Sequence, residues 1–166
     1  MLLYRKEFTL DPALRGGRVL LHFGAVDQIA QVSFNGISLG EHKGGYLPFE
    51  SDVTDALTDG VNVLTLSVLD ALDHTYPYGK QSEDPHGMWY TPVSGIWQTV
   101  WLEKVPQSYI HSLTLTPDLT GVTVTVEGAA GFTAEVEGKV WTFPGGTGRI
   151  EPENPRLWTP DDPWLY

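Results

Sequence analysis

The feature that most constrains this chain is a series of short apolar segments with a period of two, separated by turn residues. Val61–Val68 carries apolar residues at positions 61, 63, 64, 66 and 68, and Val122–Glu127 alternates strictly. No segment of ten residues keeps the 3.6-residue period of an amphipathic helix. Short strands with turn signals every roughly 8–12 residues are typical of antiparallel β-sandwiches. The sequence therefore predicts an all-β protein.

The clearest local signal is the dipeptide Asn35-Gly36 between the apolar segments Gln31–Phe34 and Ile37–Leu39. Asn-Gly supplies the two positive φ angles that a tight type I′ hairpin turn requires. The glycines at both ends of Gly40–Gly45 favour a loop directly after this hairpin.

Pro106 marks the boundary between two β-sandwich modules, which we expect over residues 1–105 and 106–166. One continuous strand over Ile96–Leu102 is expected to close the first module. In the second, Tyr109–Thr116 and the pair Phe132–Val136 and Lys139–Phe143 are predicted strands.

The net charge of −11 limits the partners. Nucleic acids and anionic membranes both require clustered Lys and Arg, so we expect neither. A neutral ligand such as a sugar is compatible with this surface. The chain has no cysteine, and the residues after Met1 lack the apolar run of a signal peptide. Both features favour a cytoplasmic location, without excluding a secreted or periplasmic parent.

The segment Asp70–Val93 has no periodicity, and a loop of this length inside a compact domain is often functional. It is rich in Tyr, Trp, His, amide and carboxylate residues. Aromatic rings can stack on the C–H face of a sugar while polar groups bind its hydroxyls. The alternative is that the segment folds back and its aromatic residues only fill the core.

Other chemistry is sparse. His74 and His86 flank Asp84 at a spacing that matches no strong metal motif, so no metal and no cofactor are expected. The carboxylates of Glu83 and Asp84 are adjacent and would point apart in an extended segment, which suits acid/base catalysis poorly. We predict no catalytic residue in this chain.

The order of several motifs resembles the N-terminal sugar-binding domain of glycoside hydrolase family 2, which includes β-galactosidases, β-glucuronidases and β-mannosidases. The motifs are Tyr4-Arg-Lys-Glu-Phe, Val32-Ser-Phe-Asn-Gly, His42-Lys-Gly-Gly-Tyr-Leu-Pro-Phe, Asp52-Val-Thr-Asp and Trp89-Tyr-Thr-Pro-Val-Ser-Gly-Ile-Trp-Gln. The resemblance implies a galactose-binding-like jelly-roll β-sandwich over residues 1–105.

Residues 109–166 are similar to the immunoglobulin-like second domain of the same family, and Asn154–Tyr166 carries its Leu-Trp-Thr-Pro pattern. Relatives usually have a segment before the first strand and more strands after the Leu-Tyr position. We therefore expect both modules to be truncated here. The resemblance also implies that the family's catalytic barrel and its two glutamates are absent, so that this chain is inactive alone.

In such enzymes, loops of the first domain reach the active-site mouth and contact the sugar. Carried over by motif, the resemblance implies eight candidate sugar-binding residues: Lys80, Gln81, Asp84, His86, Trp89 and Tyr90, with Glu41 and His42 as weaker ones. The expected partners are a weakly bound carbohydrate and the missing catalytic barrel of a parent enzyme. An autonomous carbohydrate-binding module and a β-sandwich interaction protein are the alternatives.

Self-association is a further expectation. The second module has about 60 residues, against roughly 100 in a complete immunoglobulin-like sandwich. An incomplete sandwich exposes a sheet edge, for which the strand Val122–Val126 is a candidate, and an apolar face. The expected members of that face are Val122, Val124, Val126, Val140, Trp141 and Phe143. A homodimer would cover both; the alternative is that the tail covers the gap and the chain stays monomeric.

Overall fold

The computed structural model describes all residues, 1–166, and divides them into two compact units, Met1–Val105 and Pro106–Tyr166. Apart from two 3-10 turns, Pro12–Leu14 and Thr54–Ala56, every regular element is a strand. The prediction of an all-β protein is confirmed. The structure contains no helix with the length and apolarity that a membrane crossing requires.

Nine antiparallel strands build the first unit. They are β1 (Leu2–Thr9), β2 (Arg18–Phe23), β3 (Val26–Asp27), β4 (Ile29–Phe34), β5 (Ile37–Lys43), β6 (Phe49–Asp52), β7 (Val61–Leu69), β8 (Gly95–Ile96) and β9 (Val100–Val105). They form a four-stranded sheet in the order β1-β7-β4-β5, a three-stranded sheet β6-β2-β9 and the short ladder β3-β8.

The two larger sheets of this unit meet across one apolar core. Alternate residues of β2, ending at Phe23, pack with alternate residues of β4, ending at Phe34, and with Leu66 and Val68 of β7. Phe23 and Phe34 are completely buried. Burying a side chain of this size stabilises a fold by about 1.5–3 kcal/mol, so this seam holds the sandwich together.

The predicted hairpin is present, with φ of 50° at Asn35 and 81° at Gly36. The predicted loop over Gly40–Gly45 is wrong at its start, because β5 continues to Lys43. The register shifts between Val32 and Ser33, and Gly40, at a φ of 108°, pairs with Val32. A bulge of this kind keeps a glycine inside a ladder, which sequence alone cannot distinguish from a loop.

The expected continuous strand Ile96–Leu102 is also wrong. Ile96 pairs with Val26 of β3, whereas Val100 pairs with Phe23 of β2, and the chain between them is irregular. The interruption arises because the two halves pair with different partner strands. The partner β3 has only two residues, too few to show a period.

A buried polar network closes one end of this unit. Asn62 is completely buried, and its Oδ1 accepts hydrogen bonds from Asn35 Nδ2 at 2.8 Å and Thr58 N at 2.9 Å. Its Nδ2 donates to the Thr58 carbonyl at 3.0 Å, and Asn35 Oδ1 accepts from Val63 N at 2.7 Å. The hairpin turn is thereby joined to the start of β7.

The second unit contains five strands: β10 (Ser112–Pro117), β11 (Val122–Glu127), β12 (Phe132–Val136), β13 (Lys139–Phe143) and β14 (Thr147–Ile150). They form a three-stranded sheet β10-β11-β14 and the hairpin β12-β13. The sequence patterns did not predict β14, because Thr147-Gly-Arg-Ile is short and contains a glycine.

The expected open apolar face is wrong for most of its members, which belong to the apolar core of this unit. Val124 and Val126 are buried together with Phe132 and Ile150. Strand β11 lies in the middle of its sheet and is not an edge, because the unpredicted β14 pairs with it. Of the expected members, Val140 is exposed, whereas the other three, Val122, Trp141 and Phe143, are half-buried and pack on the core.

A charged cluster ties the β10–β11 turn to β14. Arg149 donates to Asp118 Oδ1 at 3.1 Å, Thr120 Oγ1 at 2.7 Å and Glu151 Oε1 at 2.6 Å. The hydrogen bond from Arg149, together with those from Thr120, holds the pKa of Asp118 well below its ordinary value. Asp118 therefore stays ionised at neutral pH, and the turn remains anchored.

We expect Asn62→Ala to lower the free energy of unfolding by about 2–3 kcal/mol, because it leaves several buried polar groups without partners. Urea unfolding followed by tryptophan fluorescence measures the change. Asn154→Ala is the matched control, since Asn154 is exposed and makes no hydrogen bond. Equal stability of the two variants would contradict a structural role for the Asn62 network.

Candidate functional site

The segment Asp70–Val93 is a surface excursion between β7 and β8, closed at its base. Ser94 Oγ donates a hydrogen bond of 2.6 Å to Asp70 Oδ2, which joins the two ends. Asp27 of β3 lies nearby. Partial burial, and secondarily the charge of Asp70, raises the pKa of Asp27. The base of the segment therefore carries two neighbouring carboxyl groups, those of Asp27 and Asp70.

Gln81 is the internal anchor of this segment. Its Nε2 donates to the Tyr78 carbonyl at 2.8 Å, and its Oε1 accepts from Val93 N at 2.6 Å. Tyr90 N donates to the Lys80 carbonyl at 2.8 Å, and Ser82 N donates to the Tyr90 carbonyl at 3.0 Å. The structure thus brings Lys80, Gln81 and Tyr90 together, with the Gln81 amide used to position the backbone.

Asp84, His86 and Trp89 lie on the turn between these two cross-linked stretches. His86 Nδ1 donates to the Asp84 carbonyl at 2.7 Å and lies 3.5 Å from Asp84 Oδ2. Trp89 N donates to the His86 carbonyl at 3.0 Å. The side chains of Asp84 and His86 are largely exposed, so their remaining polar atoms face solvent.

The aromatic residues of the segment do not fill the core. Trp89 is 43% exposed and Tyr90 is 63% exposed. None of the segment's aromatic side chains packs against the buried cluster of the first unit. The alternative in which they only fill the core is therefore wrong. The surface combines flat apolar rings with free polar groups, which is the chemistry that carbohydrate binding uses.

Glu41 and His42 do not join this group. On β5, Glu41 accepts from Gln31 Nε2 at 3.2 Å and pairs with Lys43 at 3.2 Å, and these contacts lower its pKa. His42 points inward and stacks on Phe49 at a ring distance of 4.0 Å. Neither side chain makes a hydrogen bond or ion pair with the segment. Packing and strand pairing account for the contacts of both.

No group of three or more His, Asp or Glu side chains is arranged to hold a metal ion. His74 instead accepts or donates a hydrogen bond of 2.9 Å with the Tyr78 hydroxyl. His86 contacts Asp84. The two histidines therefore belong to separate local contacts.

The sequence patterns missed Asp27 and Tyr46. The Tyr46 hydroxyl donates to the Pro77 carbonyl at 3.5 Å, which connects the loop before β6 to the segment. Asp27 belongs to a strand of two residues, and Tyr46 follows two glycines, so neither shows a period. Their only sequence signal is residue type: an acid within an apolar stretch and an aromatic in a loop.

The sugar-binding domain of glycosyl hydrolases family 2 matches residues 1–106. This chain therefore belongs to glycosyl hydrolase family 2, and residues 1–106 are its sugar-binding domain.

Two relatives illustrate the match. A β-galactosidase of Thermoanaerobacter pseudethanolicus is 29% identical over 98% of this chain and 25% of its own length. A β-glucuronidase of Felis catus is 31% identical over 95% of this chain and 29% of its own length.

Solved structures agree. A β-glucuronidase of an uncultured Clostridium has a TM-score of 0.68 and 26% identity over 99% of this chain and 31% of its own. A β-glucuronidase of Ruminococcus gnavus in complex with D-glucuronic acid has a TM-score of 0.72 at 22% identity, covering 99% of this chain and 32% of its own, which shows a shared fold. The chain thus spans between a quarter and a third of the relatives' length.

We expect Gln81→Ala to loosen the segment without unfolding the unit. The amides of Ser82, Tyr90 and Val93 should exchange with deuterium roughly two- to tenfold faster, since one hydrogen bond is worth about 0.5–1.5 kcal/mol. Hydrogen exchange read by NMR measures this. Gln107→Ala, at an exposed glutamine without a hydrogen bond, is the control. Unchanged exchange at all three amides would show that Gln81 is not the anchor.

Proposed function

We propose that this chain is the non-catalytic, sugar-binding N-terminal region of a larger family 2 β-glycosidase. The observation that carries the proposal is the family match over residues 1–106. The exposed aromatic and polar segment Asp70–Val93 supports it. Relatives named β-galactosidase and β-glucuronidase favour a parent enzyme that hydrolyses O-glycosidic bonds of β-galactosides or β-glucuronides.

The predicted site residues divide into roles. Trp89 and Tyr90 stack on the sugar ring, and Lys80, Asp84 and His86 bind its hydroxyls. Gln81 positions the backbone between them. Glu41 and His42 stay weaker candidates, because their side chains are engaged in strand pairing and core packing. The exposure of Trp89, Tyr90, Asp84 and His86 supports these roles.

Hydrolysis is assigned to the parent enzyme. A retaining glycosidase needs two carboxyl groups about 5–5.5 Å apart across the bound sugar. Within the segment, Glu83 and Asp84 are adjacent in sequence and exposed. Neighbouring side chains in an extended segment point apart, so we assign no catalytic residue to this chain.

We also place the chain in the cytoplasm. It contains no cysteine, which fits a reducing compartment. A parent protein exported by its own leader would contradict this placement.

We further propose that the chain forms a homodimer. Strand β10 pairs only with β11, so its other side is an open edge. Leu113 and Leu115 on β10 are each 58% exposed. An unpaired edge with exposed leucines is a template for pairing with a second copy.

We expect weak sugar binding and no turnover. Titration of the labelled protein with galactose and with glucuronic acid, read by chemical-shift perturbation, should show fast exchange and millimolar affinity, because the parent's remaining contacts are missing. Trp89→Ala should weaken binding about five- to tenfold through the lost stacking, whereas His42→Ala should leave it nearly unchanged. Equal losses in both variants would contradict the role of Trp89. Release of nitrophenol from nitrophenyl β-glycosides by the pure protein would contradict the non-catalytic assignment.

Sedimentation at several concentrations tests the dimer. We expect the mass to rise from the monomer value of 18.3 kDa as the concentration reaches tens of micromolar. Leu113→Lys should shift the equilibrium to monomer by placing a charge on the β10 edge, and Leu69→Lys, at an exposed leucine of β7, which is paired on both sides, is the control. A constant mass of one chain would refute the dimer.

A further inference from the structure

A second aromatic surface lies outside the segment Asp70–Val93, where the chain between β8 and β9 leaves the ladder. The backbone amides of Trp97 and Gln98 both approach the Ala25 carbonyl, at 3.4 and 3.5 Å, and Thr99 pairs with Gly24. In a regular strand, alternate side chains would point to opposite faces. Here Trp97, Gln98 and Thr99 are all exposed. They line an open groove of about 580 Å³ together with Tyr46, Pro48 and Trp101.

Contacts with the protein hold the rings of Trp97 and Tyr46 in place. The Trp97 indole Nε1 donates a hydrogen bond of 2.7 Å to the Gly45 carbonyl. Tyr46 meets the Trp97 ring edge-on, with centroids 6.3 Å apart and planes at 71°. More than half of each side chain remains exposed despite these contacts. The two rings therefore form a held surface that is open to a ligand.

The ring of Trp101, which also lines the groove, is supported on one face. The ring of His22 stacks on it at 4.8 Å with planes 10° apart. His22 is itself held between Glu50 and Glu103, whose carboxylate oxygens lie 3.1 and 3.0 Å from its two ring nitrogens. One face of Trp101 is thus backed, and the side chain is still 43% exposed.

Two polar side chains, those of Gln98 and Thr99, line the same groove. Neither the Gln98 amide nor the Thr99 hydroxyl makes a hydrogen bond within the protein. Gln98 lies directly against Gly24, where a Cβ would approach its Cβ to 2.8 Å and its Oε1 to 3.0 Å. The missing Cβ of Gly24 gives the glutamine side chain room to lie against the backbone. Free donors and acceptors flanked by held aromatic rings are the two elements that saccharide recognition needs.

We propose that this groove is a second carbohydrate-binding site and that it takes a neutral pyranoside. It extends the sugar-binding function proposed above to another surface, and so rests on that function. Trp97 and Trp101 stack on the ring, and Gln98 and Thr99 bind hydroxyls. No lysine or arginine lines the groove, and Glu50 and Glu103 stand behind Trp101. A uronic acid or a sugar phosphate would therefore be repelled, since like charges at short range disfavour binding.

The matched probes are methyl β-D-glucoside and methyl β-D-glucuronide, which differ in charge at one carbon, with methyl β-D-galactoside as a second neutral sugar. The labelled full-length chain is titrated with each and read by NMR. We expect shifts in the Trp97 and Trp101 indole N–H signals and the Gln98 side-chain amide with the neutral sugars. Trp101→Ala should weaken this binding about five- to tenfold and Gln98→Ala about threefold.

Trp158→Ala, at an exposed tryptophan of the second unit, is the control and should bind unchanged. Gln98→Ala removes only an exposed side chain, so it keeps the test valid should Trp101→Ala fail to fold. Shifts confined to residues 70–93 would overturn the groove while supporting the function proposed above. Shifts confined to the groove would support the groove and would overturn the assignment of residues 70–93 as a sugar site. No shift with any probe at tens of millimolar, or tighter binding of the glucuronide in the groove, would overturn the proposal.

Discussion

The register of β2 is the constraint on which the first unit depends. Phe23 and its neighbours two and four residues back face the other sheet, where they pack against β4 and β7. His22 consequently faces the opposite side, between Glu50 and Glu103 and under Trp101. A slip of β2 by one residue would turn His22 toward the core, away from Glu50 and Glu103, and would expose Phe23, which would be strongly unfavourable. Core packing and the outer surface are thus fixed by the same alternation.

Surfaces suited to ligand binding lie where that alternation stops. The segment Asp70–Val93 leaves the sandwich entirely and is held by Gln81 and by the Asp70–Ser94 contact. The stretch Trp97–Thr99 leaves the ladder for only three residues. Both stretches carry aromatic side chains that are exposed, among them Trp89, Tyr90 and Trp97. Strand irregularities that redirect side chains are common next to functional sites.

The second unit combines a small apolar core with charged contacts at its surface. Its apolar core is small, with Val124, Val126, Phe132 and Ile150 as the buried members. The cluster of Arg149, Asp118 and Glu151 adds hydrogen bonds that anchor the β10–β11 turn. Residues 151–166, which follow β14, have a similar charged contact. The Arg156 guanidinium binds Asp162 and lies 4.4 Å over the Trp164 ring. Charged contacts at the surface thus complement limited burial, although each exposed pair contributes little by itself.

The sequence by itself determined the all-β class, the Asn35-Gly36 hairpin and most strands, because period-two patterns and positive-φ residues are local properties. Family membership was also readable, from the order of motifs along the first unit. Only the tertiary structure decided which strands pair. It split Ile96–Leu102 between β3 and β2, kept Gly40 inside β5, and placed β11 in the middle of its sheet by adding β14. It also turned His42 inward and left Trp97 and Trp101 exposed. Pairing partners and side-chain exposure depend on residues far apart in the chain, and no local period records them.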